Sequence, residues 1–489
     1  MKILSKIRKV RKVTLRLILL FAFIIAVWQL HKPLPDGLSY KGQAIPVDDG
    51  QLDFLYDLTY LDENGELVHD QEIFDEIISS IEDAQSYILL DMFLFNSWLG
   101  KADSSFRSIA QDVTAALIEK KEKSPRIKIE VITDPINTVY GGDQSLVIMA
   151  MREAGIHVYV TDLKPLRDSN PIYSSFWRML LQWFGNDTWP QWVRHPFSET
   201  ENKISLRSYL TLLNFKANHR KTFLADSGET FVSIVSSANP HDSSSAHSNV
   251  AIKITGGSFA QELWESERAV VKMSNSDLYN FPQKDSSKRI ATTTVQLLTE
   301  GKIKKSLIDI IDDTKKDDEI NIAMFYLSNR DVVSSLVNAT RRRVAINLIM
   351  DPNKDAFGYE KNGIPNRQVA TELLKRSNGR IRVRWYETNG EQFHSKITYI
   401  KFSNDDRVIV LGSANLTRRN IDDYNLESDV LIRTKKGSSI DAEVDEYYEA
   451  LWSNSKNNVY TTGYSSYKDE SVWKMLLYRL EEMTGLSSF

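Results

Sequence analysis

The sequence predicts an α/β protein of two similar α/β/α lobes, an internal duplication, preceded by one N-terminal apolar helix. Three observations predict it. Strand-like and helix-like segments recur in one order in both halves of the 489 residues. The pattern His, any residue, Lys occurs once per half, at His219-Arg220-Lys221 and His394-Ser395-Lys396, each followed about twenty residues later by Ser-Ala-Asn. A basic tail leads into an unbroken apolar run near the N-terminus.

That tail holds Lys2, Lys6, Arg8, Lys9, Arg11, Lys12 and Arg16 with no acidic residue, and Leu17 to Trp28 follow without a polar side chain. Residues 1–35 are therefore expected to be a basic tail and a signal anchor. No Ala-x-Ala cleavage pattern lies in residues 29–40, and Trp28 suits the headgroup zone. The apolar core of a cleaved signal peptide and a buried core helix are the alternatives. Val13 to Leu30 can cross a bilayer if Arg16 reaches back to the headgroups. The positive-inside rule leaves the tail in the cytoplasm and the body outside it, as in a bacterial inner-membrane protein.

Composition narrows the function classes. The chain is 42% hydrophobic, enough for two substantial cores. It has no cysteine, which excludes disulfides and thiolate metal sites. The net charge is −4; removing the seven tail residues from the 61 basic ones leaves 54 against 65 acidic, or −11 for the remainder. So acidic a body is a poor general ligand for nucleic acid, whose affinity comes mainly from phosphate neutralisation. No nucleic acid is expected as a partner.

The repeat reads in order. The first half runs from helix-like residues 73–84 through apolar 87–95 and 127–135, ending in Asp134-Pro135 and closing on Tyr140-Gly141-Gly142. The second runs from 303–314 through 320–328 and 344–352, ending in Asp351-Pro352 and closing on Phe357-Gly358-Tyr359. Strand-like 155–162 and 379–387 follow, then the His-x-Lys and Ser-Ala-Asn segments, and amphipathic helices at 256–266 and 436–453. The expected organisation is lobe one at 48–274, a polar linker at 275–290, lobe two at 291–455 and a C-terminal amphipathic helix at 456–489.

Between Asp-Pro and His-x-Lys the first half is longer, 85 residues against 43. The surplus, about 165–215, contains Trp177, Trp183, Trp189 and Trp192. It is either an inserted cap whose aromatics pack on the lobe or a surface for the membrane interface. The C-terminal stretch around Val472 to Leu480 is expected to pack on its own domain.

Side chains in an extended strand alternate between faces, so His219 and Lys221 point the same way, as do His394 and Lys396, Ser237 and Asn239, and Ser413 and Asn415. A phosphodiester needs this set: Lys and Asn on the nonbridging oxygens, one neutral imidazole to attack phosphorus, one imidazolium to protonate the leaving oxygen. Each half offers one histidine, so two halves are required. His241 and His247, in a Ser-rich loop, read as solvated.

These residues resemble the phospholipase D superfamily. His219, Lys221 and Asp226 match its His-x-Lys-x4-Asp element in full, and Ser237 and Asn239 its next one; the second copy matches in His394, Lys396, Gly412, Ser413 and Asn415 and continues to Asn425 and Glu427. The resemblance implies a two-lobed fold with a single site at the pseudo-dyad, a phosphohistidine intermediate, and neither metal ion nor other cofactor. It implies His219 as nucleophile, His394 as acid and then base, Lys221 and Lys396 with Ser237, Asn239, Ser413 and Asn415 on the phosphate, and Asp226 and Glu427 in catalytic support. Strand parity instead makes Asp226 a buttress facing away from the phosphate. Two positions depart from the pattern. Lys401 stands where the second Asp is expected, with Asp405 or Asp406 as substitutes. Ala251 stands where a first late carboxylate would be, with Asp242 as substitute, leaving Glu427 for His394, a pairing that favours the reverse assignment, with His394 as nucleophile, as the alternative.

The expected function is a membrane-associated enzyme that hydrolyses phospholipid or transfers its phosphatidyl group, as cardiolipin synthases of this family do, working as a monomer. A nuclease or phosphodiesterase of the same family and a degenerate binding module are the alternatives.

Overall fold

The computed structural model describes residues 2–100, 106–198, 202–282, 291–356 and 359–486. Two large sheets dominate it. In the first, the order is Leu67–Asp70, Leu52–Leu61, Asn249–Thr255, Thr230–Ser236, Lys221–Ser227, Tyr87–Met92, Lys128–Thr133, His157–Val160. In the second it is Ile45–Val47, Thr293–Thr299, Ser428–Lys435, Asp406–Gly412, Lys396–Lys401, Glu319–Met324, Ala345–Met350, Ile381–Tyr386, Thr461–Gly463. From Leu52–Leu61 and from Thr293–Thr299 onward, seven strands follow one order with one pattern of sense: four antiparallel pairings, then two parallel ones. The α/β class with helices flanking sheets is as expected.

Both faces of each sheet are covered, which is why the central strands read as near-continuous apolar runs. Each outer face has its own core, Ile77, Leu90, Val113 and Val131 in one lobe and Leu307, Ile322, Leu336 and Leu348 in the other. The inner faces share a single core with the helices Gly257–Met273 and Ser439–Ser453, joining Leu89, Ile252 and Leu263 to Ile349, Ile432 and Tyr447. The shared core fixes the lobes against each other, so a site between them is rigidly placed. Helix Ile73–Asp83 shows how local pattern becomes packing: Ile73, Ile77 and Ile81, four apart, are buried on one stripe, each contributing roughly 1.5–3 kcal/mol.

Of the linker expected at 275–290, residues 283–290 lie outside the described residues, as do Phe357 and Gly358. Its start already packs on the first lobe: the Tyr279 N–H donates to Glu130, and Phe281 stacks on Phe231.

The N-terminal helix, Lys2–His31, is far longer than its apolar run, and Leu4–His31 is long and apolar enough to cross a membrane. Its C-terminal half packs along helix Pro171–Met179 of the insert. There, Asn170 accepts from the Tyr173 N–H and Pro171 occupies the first turn, where its missing N–H costs nothing. Of the four insert tryptophans only Trp177 is buried; Trp183, Trp189 and Trp192 are exposed, so the packed cap accounts for one of them.

Candidate active site

Strands Lys221–Ser227 and Lys396–Lys401 begin at the lysines, so both histidines stand just before their strands, at the lobe interface. Each is pinned there by the other lobe. The His219 N–H donates to the Leu426 carbonyl at 2.9 Å, and the His394 N–H to the Ser248 carbonyl at 2.8 Å. One residue earlier, a carboxylate of the same lobe holds the backbone: the Asn218 N–H donates to Asp134 at 2.7 Å and the Phe393 N–H to Asp351 at 2.8 Å. The repeated Asp-Pro was visible in the sequence; its task was not.

The side chains cross the interface in the same way. His219 Nδ1 lies 2.9 Å from Glu427 of the second lobe, and His394 Nδ1 lies 3.1 Å from Asn249 Oδ1 of the first. Glu427 thus serves His219, correcting the expectation that it serves His394. Asn249, not Ala251, is its counterpart. The Ser237 hydroxyl donates to Asn249 and accepts from the Val250 N–H, as the Ser413 hydroxyl donates to Glu427 and accepts from the Ser428 N–H. Counting from Asn239 misplaced the position because the first-lobe loop is two residues shorter, 12 from Ser237 to Asn249 against 14 from Ser413 to Glu427. Ala251 is one of the buried core residues. Asp242 is also not the missing carboxylate, since it accepts from the Ala110 N–H.

A carboxyl does stand behind Asn249. Asp57, paired across the strands with Asn249, is pushed up to about 7 by burial, against the pull of the Ile73 and Glu72 N–H groups and the Asn249 amide. The Asn249 amide donates to the His247 carbonyl at 3.0 Å, which leaves Oδ1 to face His394.

Each histidine packs on the aromatic residue that follows the neighbouring strand, His219 on Phe93 and His394 on Phe325, with ring centroids 4.7 and 4.9 Å apart. Lys221 and Lys396 lie over the same two rings and fold back to donate to the carbonyls of His219 and His394 at 2.6 and 2.8 Å. The lysines therefore stand behind the histidines. Ser237 and Ser413 are likewise turned to Asn249 and Glu427, not to the phosphate position expected of them; both lie beyond the last strand residue, where strand parity no longer applies.

Between the lobes is a cavity of about 490 Å³ whose lining includes His219, His394, Asn239, Asn415 and Asn425. His241 and His247 line it too. They are buried, not solvated, and burial pushes them down to about 4 and about 3. His219 and His394 are held well below the ordinary histidine range, by burial first and then by the lysine charges. Burial lowers Lys221 to about 7, and Lys396 falls well below its usual value through burial and Lys221. Burial pushes Glu427 up to about 8 against the pull of Lys221, Asn420 and Ser413. His219 and Glu427 therefore titrate as a pair. Without an anion this cluster minimises buried charge; a bound phosphodiester monoanion favours the charged lysines and a protonated imidazole.

Asp226 takes no part in the cavity. It lies roughly 20 Å along the strand from His219, where its carboxylate accepts the N–H groups of Gln85, Ser86 and Tyr87 at 2.9–3.0 Å and the Ser86 hydroxyl at 2.8 Å. The buttress inferred from parity is what the geometry supports. In the second lobe Lys401 pairs with Asp445, and neither Asp405 nor Asp406 substitutes. Asp318, just before the neighbouring strand Glu319–Met324, makes the equivalent tie by accepting from the Ser403 N–H at 2.8 Å. Burial opposes ionisation of Asp226, but its backbone donors outweigh it and hold the carboxyl below its usual range. Asp226→Ala is expected to cost about 2–4 kcal/mol of stability, from several charge-assisted bonds to one group, with kcat/KM unchanged. Because the folded pKa is depressed, this contribution is present above the unfolded carboxyl pKa and is lost as pH falls through the folded value. Thermal unfolding of both proteins at neutral and acid pH checks this; equal destabilisation throughout would refute it.

Residues 307–452 match the family model described as cardiolipin synthase, PLD-like domain. The chain carries a phospholipase D-like domain. The resemblance to the phospholipase D superfamily is borne out, and the matched residues include the second His-x-Lys segment. Phosphatidylserine synthase of Haemophilus influenzae Rd KW20 superposes over 94% of this chain and 97% of its own, with TM-score 0.58 and 13% identity. Polyphosphate kinase of Porphyromonas gingivalis aligns over 82% of this chain and 50% of its own at 13% identity, with TM-score 0.45. Nuc of Salmonella typhimurium, a phospholipase D family member, aligns over 33% of this chain and 95% of its own at 20% identity, with TM-score 0.26. No curated protein matches the chain.

Proposed function

We propose that this protein is a membrane-associated phospholipase D-type enzyme that cleaves or transfers the phosphatidyl group of a phospholipid through a phosphohistidine intermediate. One observation carries the reading: two imidazoles border one cavity, a carboxyl group on Nδ1 of His219 and an amide oxygen on Nδ1 of His394. With Glu427 ionised beside the charged Lys221 and Lys396, which oppose the effect of its burial, it accepts Nδ1–H and Nε2 of His219 keeps its lone pair for phosphorus. The P–N bond forms as the P–O bond to the leaving alcohol breaks, and imidazolium His394 gives that oxygen its proton. Neutral His394 then takes a proton from water or a second alcohol, whose oxygen attacks phosphorus and breaks the P–N bond. Asn239 and Asn415 reach the nonbridging oxygens from the cavity wall, while Lys221 and Lys396 supply positive charge from behind.

The family match, the structural likeness to a phosphatidylserine synthase and the apolar N-terminal helix support phospholipid as the substrate class. Purified full-length protein in detergent is expected to convert labelled phosphatidylglycerol or phosphatidylcholine, with transfer products appearing when glycerol is added. Cleavage of single-stranded DNA with no action on lipid micelles would overturn the lipid reading.

A further inference from the structure

We propose that the C-terminal helix and the aromatic insert form one continuous surface that lies on the bilayer crossed by the N-terminal helix, so that the cavity rim faces lipid. The inference rests on the membrane reading above and adds the docking elements. Helix Val472–Thr484 buries Tyr478 and Glu482 on one side, where Glu482 accepts from the Ser328 hydroxyl and the Arg418 N–H. Its other side shows Val472, Leu476, Leu480 and Met483 to solvent at helical spacing, with Trp473 beside them at 72% exposure. A helix that packs only on its own domain would not present that stripe. The insert displays a second group, Trp183, Phe184, Trp189 and Trp192, all at least 70% exposed. Indoles beside aliphatic side chains suit the headgroup boundary.

The two groups are tied to the N-terminal helix at one place. Asp168 donates its N–H to the Gln29 carbonyl, and Arg167 Nε donates to the Lys32 carbonyl. Gly485, which caps the C-terminal helix at φ +72°, comes so close to this segment that a Cβ would lie 1.8 Å from the Ser169 carbonyl oxygen. Both helices therefore end against residues 167–170. On the N-terminal helix, Ala22 is buried and Ile25, Ala26 and Gln29 are half-buried, a row about 10 Å long at 1.5 Å per residue. All of that row but Gln29 lies in the apolar run, so helix Pro171–Met179 is held level with the run's C-terminal end. The insert also supplies Pro196, Phe197 and Leu212 to the cavity lining, as does Arg419, which donates to the Gly485 carbonyl. Rim and apolar surface thus share one side of the molecule.

The absence of native cysteine allows a direct test. Full-length Leu476→Cys, Leu480→Cys, Trp183→Cys and Lys316→Cys proteins would be spin-labelled and reconstituted in phosphatidylethanolamine–phosphatidylglycerol vesicles. Lys316 is exposed, at the opposite end of strand Glu319–Met324 from the cavity. Labels at 476, 480 and 183 should relax faster with oxygen than with a water-soluble nickel chelate, and the label at 316 the reverse. Equal nickel access at all four sites would overturn the proposal. Spin–spin broadening at 476 that vanishes on dilution with unlabelled protein would also overturn it, by showing a second copy on this face. Lipid conversion in the same vesicles separates the two readings. Conversion with nickel-accessible labels sinks only the docking surface, and immersed labels without conversion sink only the lipid chemistry.

Discussion

His219→Ala is expected to release no nitrophenolate from a nitrophenyl phosphodiester, whereas His394→Ala releases a burst of one per chain and then stops. The leaving group distinguishes the roles. Nitrophenolate departs without a proton, so loss of the acid is tolerated in the first step; without His394 to deprotonate water, the phosphohistidine then persists. On an alkyl phosphodiester, where the alcohol must be protonated, His394→Ala should lower the rate by about 10²–10⁴, the usual worth of a positioned acid–base group. Acid-quenched, denatured His394→Ala protein should carry the phosphoryl label, and His219→Ala protein none. A burst from His219→Ala and silence from His394→Ala would reverse the assignment.

Glu427→Gln is expected to keep the fold and lose on the order of 10³–10⁴ in kcat, because the amide neither fixes the attacking tautomer nor stabilises the cation that forms on His219. The opposite exchange tests the other side. Asn249→Asp alone would set a carboxylate against Asp57, so it is best paired with Asp57→Asn, which moves the acid onto His394 and leaves an amide behind it. A carboxylate on Nδ1 raises the imidazole pKa. His394 then stays protonated to higher pH, and the alkaline limb of kcat/KM moves upward. An unmoved limb in the double variant, with wild-type melting behaviour, would remove His394 from the role of acid.

Much of this site was legible in the sequence, and the reasons differ residue by residue. His219 and His394 were found because chemistry demands the same residue types at the same place in both halves, and the strand order repeats with them. The N-terminal helix was found because an apolar run after a basic tail has few other uses. The exchange of partners was not legible: Glu427 and Asn249 lie far along the chain from the histidines that they serve, and a loop shorter by two residues shifted the count onto Ala251. The burial of His241 and His247 was hidden because Ser-rich loops are usually solvated, while this one lies between two lobes. Parity gave Asp226 its direction, since the argument held within its strand, and failed for Ser237 and Ser413, which have left theirs.

Because each imidazole takes its Nδ1 partner from the opposite lobe, a single folded lobe holds a histidine with nothing to fix its tautomer. A nascent chain that has completed only the strands of the first sheet therefore carries a disarmed half. Under the proposed chemistry, reactivity is expected only once the second lobe docks, and a chain cut between the halves is expected to stay inert.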